Sequence, residues 1–221
     1  MNLIVGTIFV IVEAGYFEFN PMKYIPFLLL ISILTFCSFN IINQSSATSS
    51  KWVLLKGGSL QVKGSTNVNK FSCDITGYNR PDTLNLFATD KNINLRGKIS
   101  LDVNLFDCHH PVMTADLRKT LKTKEFPKLN INFLTLDRLP NLTAQASSIK
   151  GLVDIELAGK TKRYEVAYKL SSPTTKTINL IGEKEVNFTD FGLTPPRKIG
   201  GMIQTNNELF VTFKLTMKVV Q

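Results

Sequence analysis

The stretch Ile93-Asn94-Leu95-Arg96-Gly97-Lys98-Ile99-Ser100-Leu101-Asp102-Val103-Asn104-Leu105 decides the fold. Its odd positions are apolar except for Gly97 and its even positions are polar, a two-residue period that buries one face of a strand and wets the other. The chain then reads Cys108-His109-His110 and changes beat. Leu117 and Leu121 are four residues apart, and Thr114 is placed to cap a first turn with Asp116 near its positive end. One short helix is therefore predicted from Thr114 to Lys122. Pro127 stops anything helical and leaves Phe126 extended, placed to plug one end of the interior, before Leu129, Ile131 and Phe133 resume the strand period.

Outward from this stretch the sequence reads as sheet. Trp52 opens a strand, and Leu60 and Val62 alternate with polar neighbours before a turn at Gly64-Ser65-Thr66-Asn67. Phe71, Cys73 and Ile75 mark the next strand, followed by Leu84 to Phe87. After Phe133 the apolar phase slips by one residue, which predicts a bulge. Ile149 to Leu157 and Tyr164 to Leu170 flank a tight hairpin at Ala158-Gly159-Lys160-Thr161. Ile178 to Phe188 and Leu209 to Val219 complete about eight strands. Long antiparallel strands close on themselves and so remove exposed edges. The predicted fold is all-β: an eight-stranded antiparallel barrel with one short helix, occupying residues 48–221.

The first 47 residues read as a leader. Met22-Lys23 gives a basic start, Ile25 to Phe39 is apolar, and Gln44-Ser45-Ser46-Ala47 offers small residues for cleavage, the pattern of a secretory signal. Translation starting at Met22 is consistent with this. An uncleaved anchor is the competing reading, since the apolar run is near the lower limit for a spanning helix. Either way the chain is expected to be exported, to the periplasm or beyond.

Export decides how the cysteines are read. Cys37 falls in the leader, which leaves Cys73 and Cys108 as an even pair in an oxidising compartment, and a disulfide is predicted between them. His109 and His110 are neighbours whose side chains diverge in an extended chain, and they are the only histidines, so no metal site is expected. Asp107 could orient His109 as a base, yet no nucleophile is partnered with it, and no catalytic residue is assigned. The chain of 221 residues carries a formal charge of +9. One lysine and two glutamates precede Thr48, so the remainder holds 25 basic against 15 acidic residues, a formal +10. That excess suits an anionic membrane surface. The lysines stand singly on wet strand faces, without the aromatic interleaving of a nucleic-acid site.

Strand parity selects the inward residues. Leu101, Val103 and Leu105 come from the opening strand, and Ile131 and Phe133 from its partner. Val153, Ile155, Val166 and Tyr168 come from the hairpin, and Val211, Phe213 and Leu215 from the last strand. An eight-stranded barrel has room for packed side chains or one small ligand, and against such an inner face the ligand must be apolar.

Four blocks carry a family likeness. Ser59-Leu60-Gln61-Val62-Lys63-Gly64, Asp116-Leu117-Arg118 through Glu125-Phe126-Pro127 to Phe133, Ile149-Lys150-Gly151-Leu152 with Leu157 to Lys162, and Phe188-Thr189-Asp190-Phe191-Gly192-Leu193 resemble the YceI-like proteins in order and spacing. The likeness spans residues 52–220. It implies a lipocalin-like barrel, exported to the periplasm, that holds a long isoprenoid or fatty-acyl chain. The chain departs from the family where a histidine is common, at Gly64-Ser65-Thr66, and where an arginine is common, at Phe188-Thr189, so no headgroup contact is carried over.

Two functions follow as expectations. The first is a binding protein holding an isoprenoid quinone, polyprenol or fatty-acyl lipid inside the barrel. The second is a cell-envelope interaction protein with a filled barrel that acts through its basic surface.

Overall fold

The computed structural model describes residues 48–90 and 92–220, so the leader reading lies outside the described residues. Among the described residues there are twelve strands: β1 (Thr48–Leu54), β2 (Gly58–Ser65), β3 (Lys70–Tyr78), β4 (Thr83–Ala88), β5 (Ile93–Asp102), β6 (Lys128–Leu136), β7 (Ser147–Leu157), β8 (Lys160–Thr174), β9 (Thr177–Asn187), β10 (Arg197–Lys198), β11 (Ile203–Gln204) and β12 (Glu208–Val220). One α-helix, α1 (Pro111–Thr120), lies between β5 and β6.

The ladder runs β1-β4-β5-β6-β7-β8-β9-β12 and returns to β1, a closed antiparallel barrel of eight. Two of its walls are jointed. The pairs Gly58↔Tyr78 and Val53↔Thr83 keep one register, so β1 with β2, and β3 with β4, form two long strands broken near Gly57 and near Arg80. β12 spans the joint, pairing β2 through Phe210 to Lys214 and β1 through Met217 to Val220.

Local chemistry explains the remaining features. Ala158 (φ 50°) and Gly159 (φ 74°) form a two-residue left-handed turn between β7 and β8, the geometry that matches strand twist. Phe126 packs over Gly159, where a Cβ would lie 2.7 Å from its ring. The slip after Phe133 is a bulge against β7.

Two sequence expectations are corrected here. The opening strand ends at Asp102, not Leu105. The Asp102 carboxylate accepts the Asn104 backbone N–H at 3.0 Å and so caps a 3-10 turn over Val103–Leu105. That bond, with the Lys128 ammonium beside it, holds the carboxyl below the usual carboxylate range. The turn keeps Val103 buried and throws Leu105 outward, 60% exposed, so Leu105 does not face the interior. The helix starts at Pro111 rather than Thr114, because a proline with fixed φ needs no N–H partner at the first helical position. Thr114 sits inside the helix, and its hydroxyl accepts the Cys108 backbone N–H at 3.0 Å.

The ladder is incomplete in one place. β4 pairs with β5, but among the described residues β3 has no strand neighbour on that side. The segment after β5 fills the split. Asp74 and Asp107 exchange two backbone hydrogen bonds of 2.8 and 2.9 Å, and the Cys73–Cys108 disulfide fastens the segment to β3.

Candidate functional site

A layer of aromatic rings divides the interior. Phe133, Tyr168 and Phe213 meet with centroids 6.0 to 6.4 Å apart, two of the three contacts edge-on, as ring quadrupoles favour. Glycines let the layer reach the wall. A Cβ on Gly182 would lie 2.2 Å from the Phe213 ring, and one on Gly151 would lie 2.7 Å from Tyr168. The Tyr168 hydroxyl is buried and has no hydrogen-bond partner among the described residues, and burial pushes its pKa up.

On one side of this layer the barrel is solid. Trp52, Leu84, Leu95, Leu170, Ile178, Leu180 and Met217 are all shut off from water. On the other side lies an apolar cavity of about 80 Å³. Leu129, Ile131, Val153, Ile155 and Val166 form one wall, and Leu60, Val62, Leu209, Val211 and Phe213 form another. Phe106, Leu117, Leu121 and Phe191 close the end, and β9 contributes Val186 and a single charged residue, Lys184.

The residues chosen by strand parity therefore separate into groups. Ile131, Val153, Ile155, Val166, Val211 and Phe213 line the cavity. Phe133 and Tyr168 belong to the dividing layer, and Val103 is core. Leu101 and Leu215 border a void of only about 10 Å³. Leu105 is outside. Missed were Leu60, Val62, Leu129, Leu157, Val186, Phe191 and Leu209 on the walls, Phe106, Leu117 and Leu121, which reach the cavity from the segment that fills the split, and Lys184. The signal for Lys184 was legible: it shares parity with Ile178, Leu180, Gly182 and Val186, and so falls on the inward beat.

Outside the cavity, a groove of about 260 Å³ runs between α1, the β2–β3 loop and the residue 196–205 segment. Leu117 lines both groove and cavity, so this one side chain is part of the partition between them. The groove lining mixes Thr66, Asn69, Asp116, Lys198 and Thr205 with the apolar Val68, Phe71, Val112 and Met113, and beside it Ile199 and Met202 are 68% and 73% exposed, like Val68 at 65%. The rim loops are tied together, since the Asn67 side-chain amide donates to the Met202 carbonyl at 2.9 Å. Ile199 holds φ 51°, a conformation strained for a β-branched residue.

Beside the disulfide, His109 Nε2 lies 2.8 Å from the Asp74 carboxylate, which raises the His109 pKa. Among the described residues no group of three or more His, Cys, Asp or Glu is arranged to hold a metal ion. Asp190 accepts from the Tyr164 hydroxyl at 2.7 Å and from the Asn187 backbone N–H at 3.2 Å, which lowers its pKa and fixes the 3-10 turn carrying Phe191.

Comparison with known proteins places this geometry. No curated protein matches the sequence. Among solved structures, a polyisoprenoid binding domain from Saccharophagus degradans, described as implicated in plant cell wall breakdown, is similar with a TM-score of 0.52 at 10% identity. That likeness covers 78% of this chain and 98% of the other. BcnA from Burkholderia cenocepacia is similar with a TM-score of 0.50 at 12% identity, covering 72% of this chain and 95% of its own. Both likenesses concern the fold. The model of the YceI-like domain matches residues 40–217, and the chain therefore belongs to the YceI-like family.

Proposed function

We propose that this protein binds the apolar chain of a lipid in the hollow half of its barrel and carries or sequesters it as an exported, periplasmic protein, without catalysing a reaction. The observation that carries this reading is the cavity: interior space walled almost wholly by aliphatic and aromatic side chains in a fold of the YceI-like family. The description of the Saccharophagus neighbour as polyisoprenoid-binding favours an isoprenoid quinone or polyprenol, with a fatty-acyl chain as the other member of the class.

Volume sets the mechanism. A dry cavity of about 150 Å³ accommodates one benzene ring, so about 80 Å³ takes a few carbons of a chain and no more. A longer chain enters when Leu117 and α1 move outward and the cavity joins the groove beside it. The split between β3 and β5 makes that the yielding side, since beyond the tethers at Asp107 and Cys108 no ladder among the described residues holds α1 against the barrel. Apolar burial at about 25 cal/mol per Å² then supplies the affinity. The exposed Val68, Ile199 and Met202 lie where the chain would arrive from a membrane surface.

Native mass spectrometry of protein purified without detergent tests this. The expected result is a lipid-sized adduct, or uptake of added quinone, polyprenol or fatty acid, that is lost in Val166→Phe. A clean apo mass with no uptake overturns it. The small free volume favours a second reading, a filled barrel acting at the cell envelope through its basic surface. Salt-sensitive pelleting with anionic vesicles, undiminished in Val166→Phe, would support that one.

A further inference from the structure

Lys184 is the one charged residue of the cavity lining, and it stands on the inward face of β9 between Gly182 and Val186. Its ladder partner on β12 is Val211, one inward step from the Gly182↔Phe213 pair that marks the aromatic layer. The ammonium lies 5.7 Å from the centroid of the Tyr164 ring. Among the described residues no carboxylate comes within 4 Å of it. The nearby Asp190 is already committed to Tyr164, the Asn187 N–H and the Lys162 ammonium at 3.5 Å.

The Lys184 stem lies along the apolar wall, and its ammonium stands half-buried over the Tyr164 face, at the edge of the cavity rather than within it. Carboxylates elsewhere on the barrel are placed against lysines: Glu165 against Lys150, Glu183 against Lys169 and Asp116 against Lys198. Other lysines without a carboxylate partner among the described residues, Lys63, Lys98 and Lys214 among them, are exposed on the wet faces, whereas Lys184 is half-buried and has none. Building on the cavity reading above, we propose that Lys184 is the headgroup anchor of the site, and that the ligand is an amphiphile with an anionic end, a carboxylate or phosphate on an apolar chain. The ammonium supplies a charge-assisted hydrogen bond to that end while the valines of the lining take the first carbons. A neutral quinone or alcohol of equal length gains the second interaction and not the first.

The contrary reading is that the Lys184 stem packs on the wall and its charge merely reaches for water. One experiment separates the two. The full-length chain is offered oleate against oleyl alcohol, and undecaprenyl phosphate against undecaprenol, with bound fractions read by native mass spectrometry. The wild type is expected to prefer the anion of at least one pair by roughly tenfold. The pair with the larger gap identifies the source of the headgroup. Lys184→Met keeps the apolar stem and is expected to erase the preference without losing the neutral ligand. Lys184→Arg is expected to retain it, which controls for folding. Equal binding of anion and alcohol by the wild type, or equal loss of both in Lys184→Met, overturns the anchor. Failure of the wild type to take up any of the four overturns the cavity reading and this proposal with it.

Discussion

The two halves of the barrel share strands, alternation and registers, yet one is packed and the other hollow. The difference lies in how the wall is closed. The solid half is filled by tryptophan, leucine, isoleucine and methionine, with β1, β4 and β5 hydrogen-bonded in sequence. The hollow half is lined by six leucines, five valines, two isoleucines and three phenylalanines that leave its centre unfilled, and its ladder is interrupted where β3 and β5 diverge. Its wall is completed by the segment carrying Phe106, Leu117 and Leu121 instead of by a strand, so side chains of ordinary size stop short of one another and main-chain closure cannot collapse the void. A barrel can therefore gain a binding site without changing topology.

Substitutions that treat the halves differently test this contrast. The largest expected effect is at the fastening of the hollow half. The disulfide joins residues 35 apart, and Cys73→Ser with Cys108→Ser should cost about 4 kcal/mol on the chain-entropy model. Denaturant unfolding measures the loss, and hydrogen exchange should rise in residues 103–121 before it rises in β1 or β4. Leu180→Ala in the solid half should cost about 3 kcal/mol, and Leu121→Ala, whose side chain already faces empty space, roughly half of that. Equal costs for these two would break the contrast.

Gly182→Ala drives a methyl into the Phe213 ring and should cost about 2 kcal/mol, with the ring displaced toward the cavity and ligand uptake reduced. Val166→Phe fills the cavity. It should change stability by less than about 1 kcal/mol while abolishing uptake, a separation seen by pairing thermal unfolding with native mass spectrometry.

The smallest effect concerns pH. Asp74 raises the His109 pKa above its ordinary value of 6.5, so the protonated ring braces the filled split. That contribution is fully present below the pKa of the unfolded chain and is lost as pH rises through the higher folded value. Exchange of the 103–121 segment should quicken at alkaline pH. NMR titration of His109 should return a lower pKa in Asp74→Asn.

Much of this was legible in the order of residues. Alternation in β5 through β9 and β12 set the walls, Ala158-Gly159 set a hairpin, and the slip after Phe133 marked a bulge. The end of β5 was not legible, because Asp102 capping Asn104 overrides an alternation that continues to Leu105. The cavity floor was hidden for a different reason. Phe106, Leu117 and Leu121 reach it only through the fastening of their segment to β3, a contact between residues distant in sequence. Lys184 was visible by parity, and its lack of a carboxylate partner emerges only when the neighbouring acids are seen to be engaged elsewhere.

β12 is the keystone of the closed wall. It pairs with β9 along one side and with both β2 and β1 along the other, so all three depend on one strand for closure. A barrel from which Glu208–Val220 is displaced has open edges on both sides of the gap, each a template for a neighbouring molecule. Protection from self-association thus rests on the seating of a single segment.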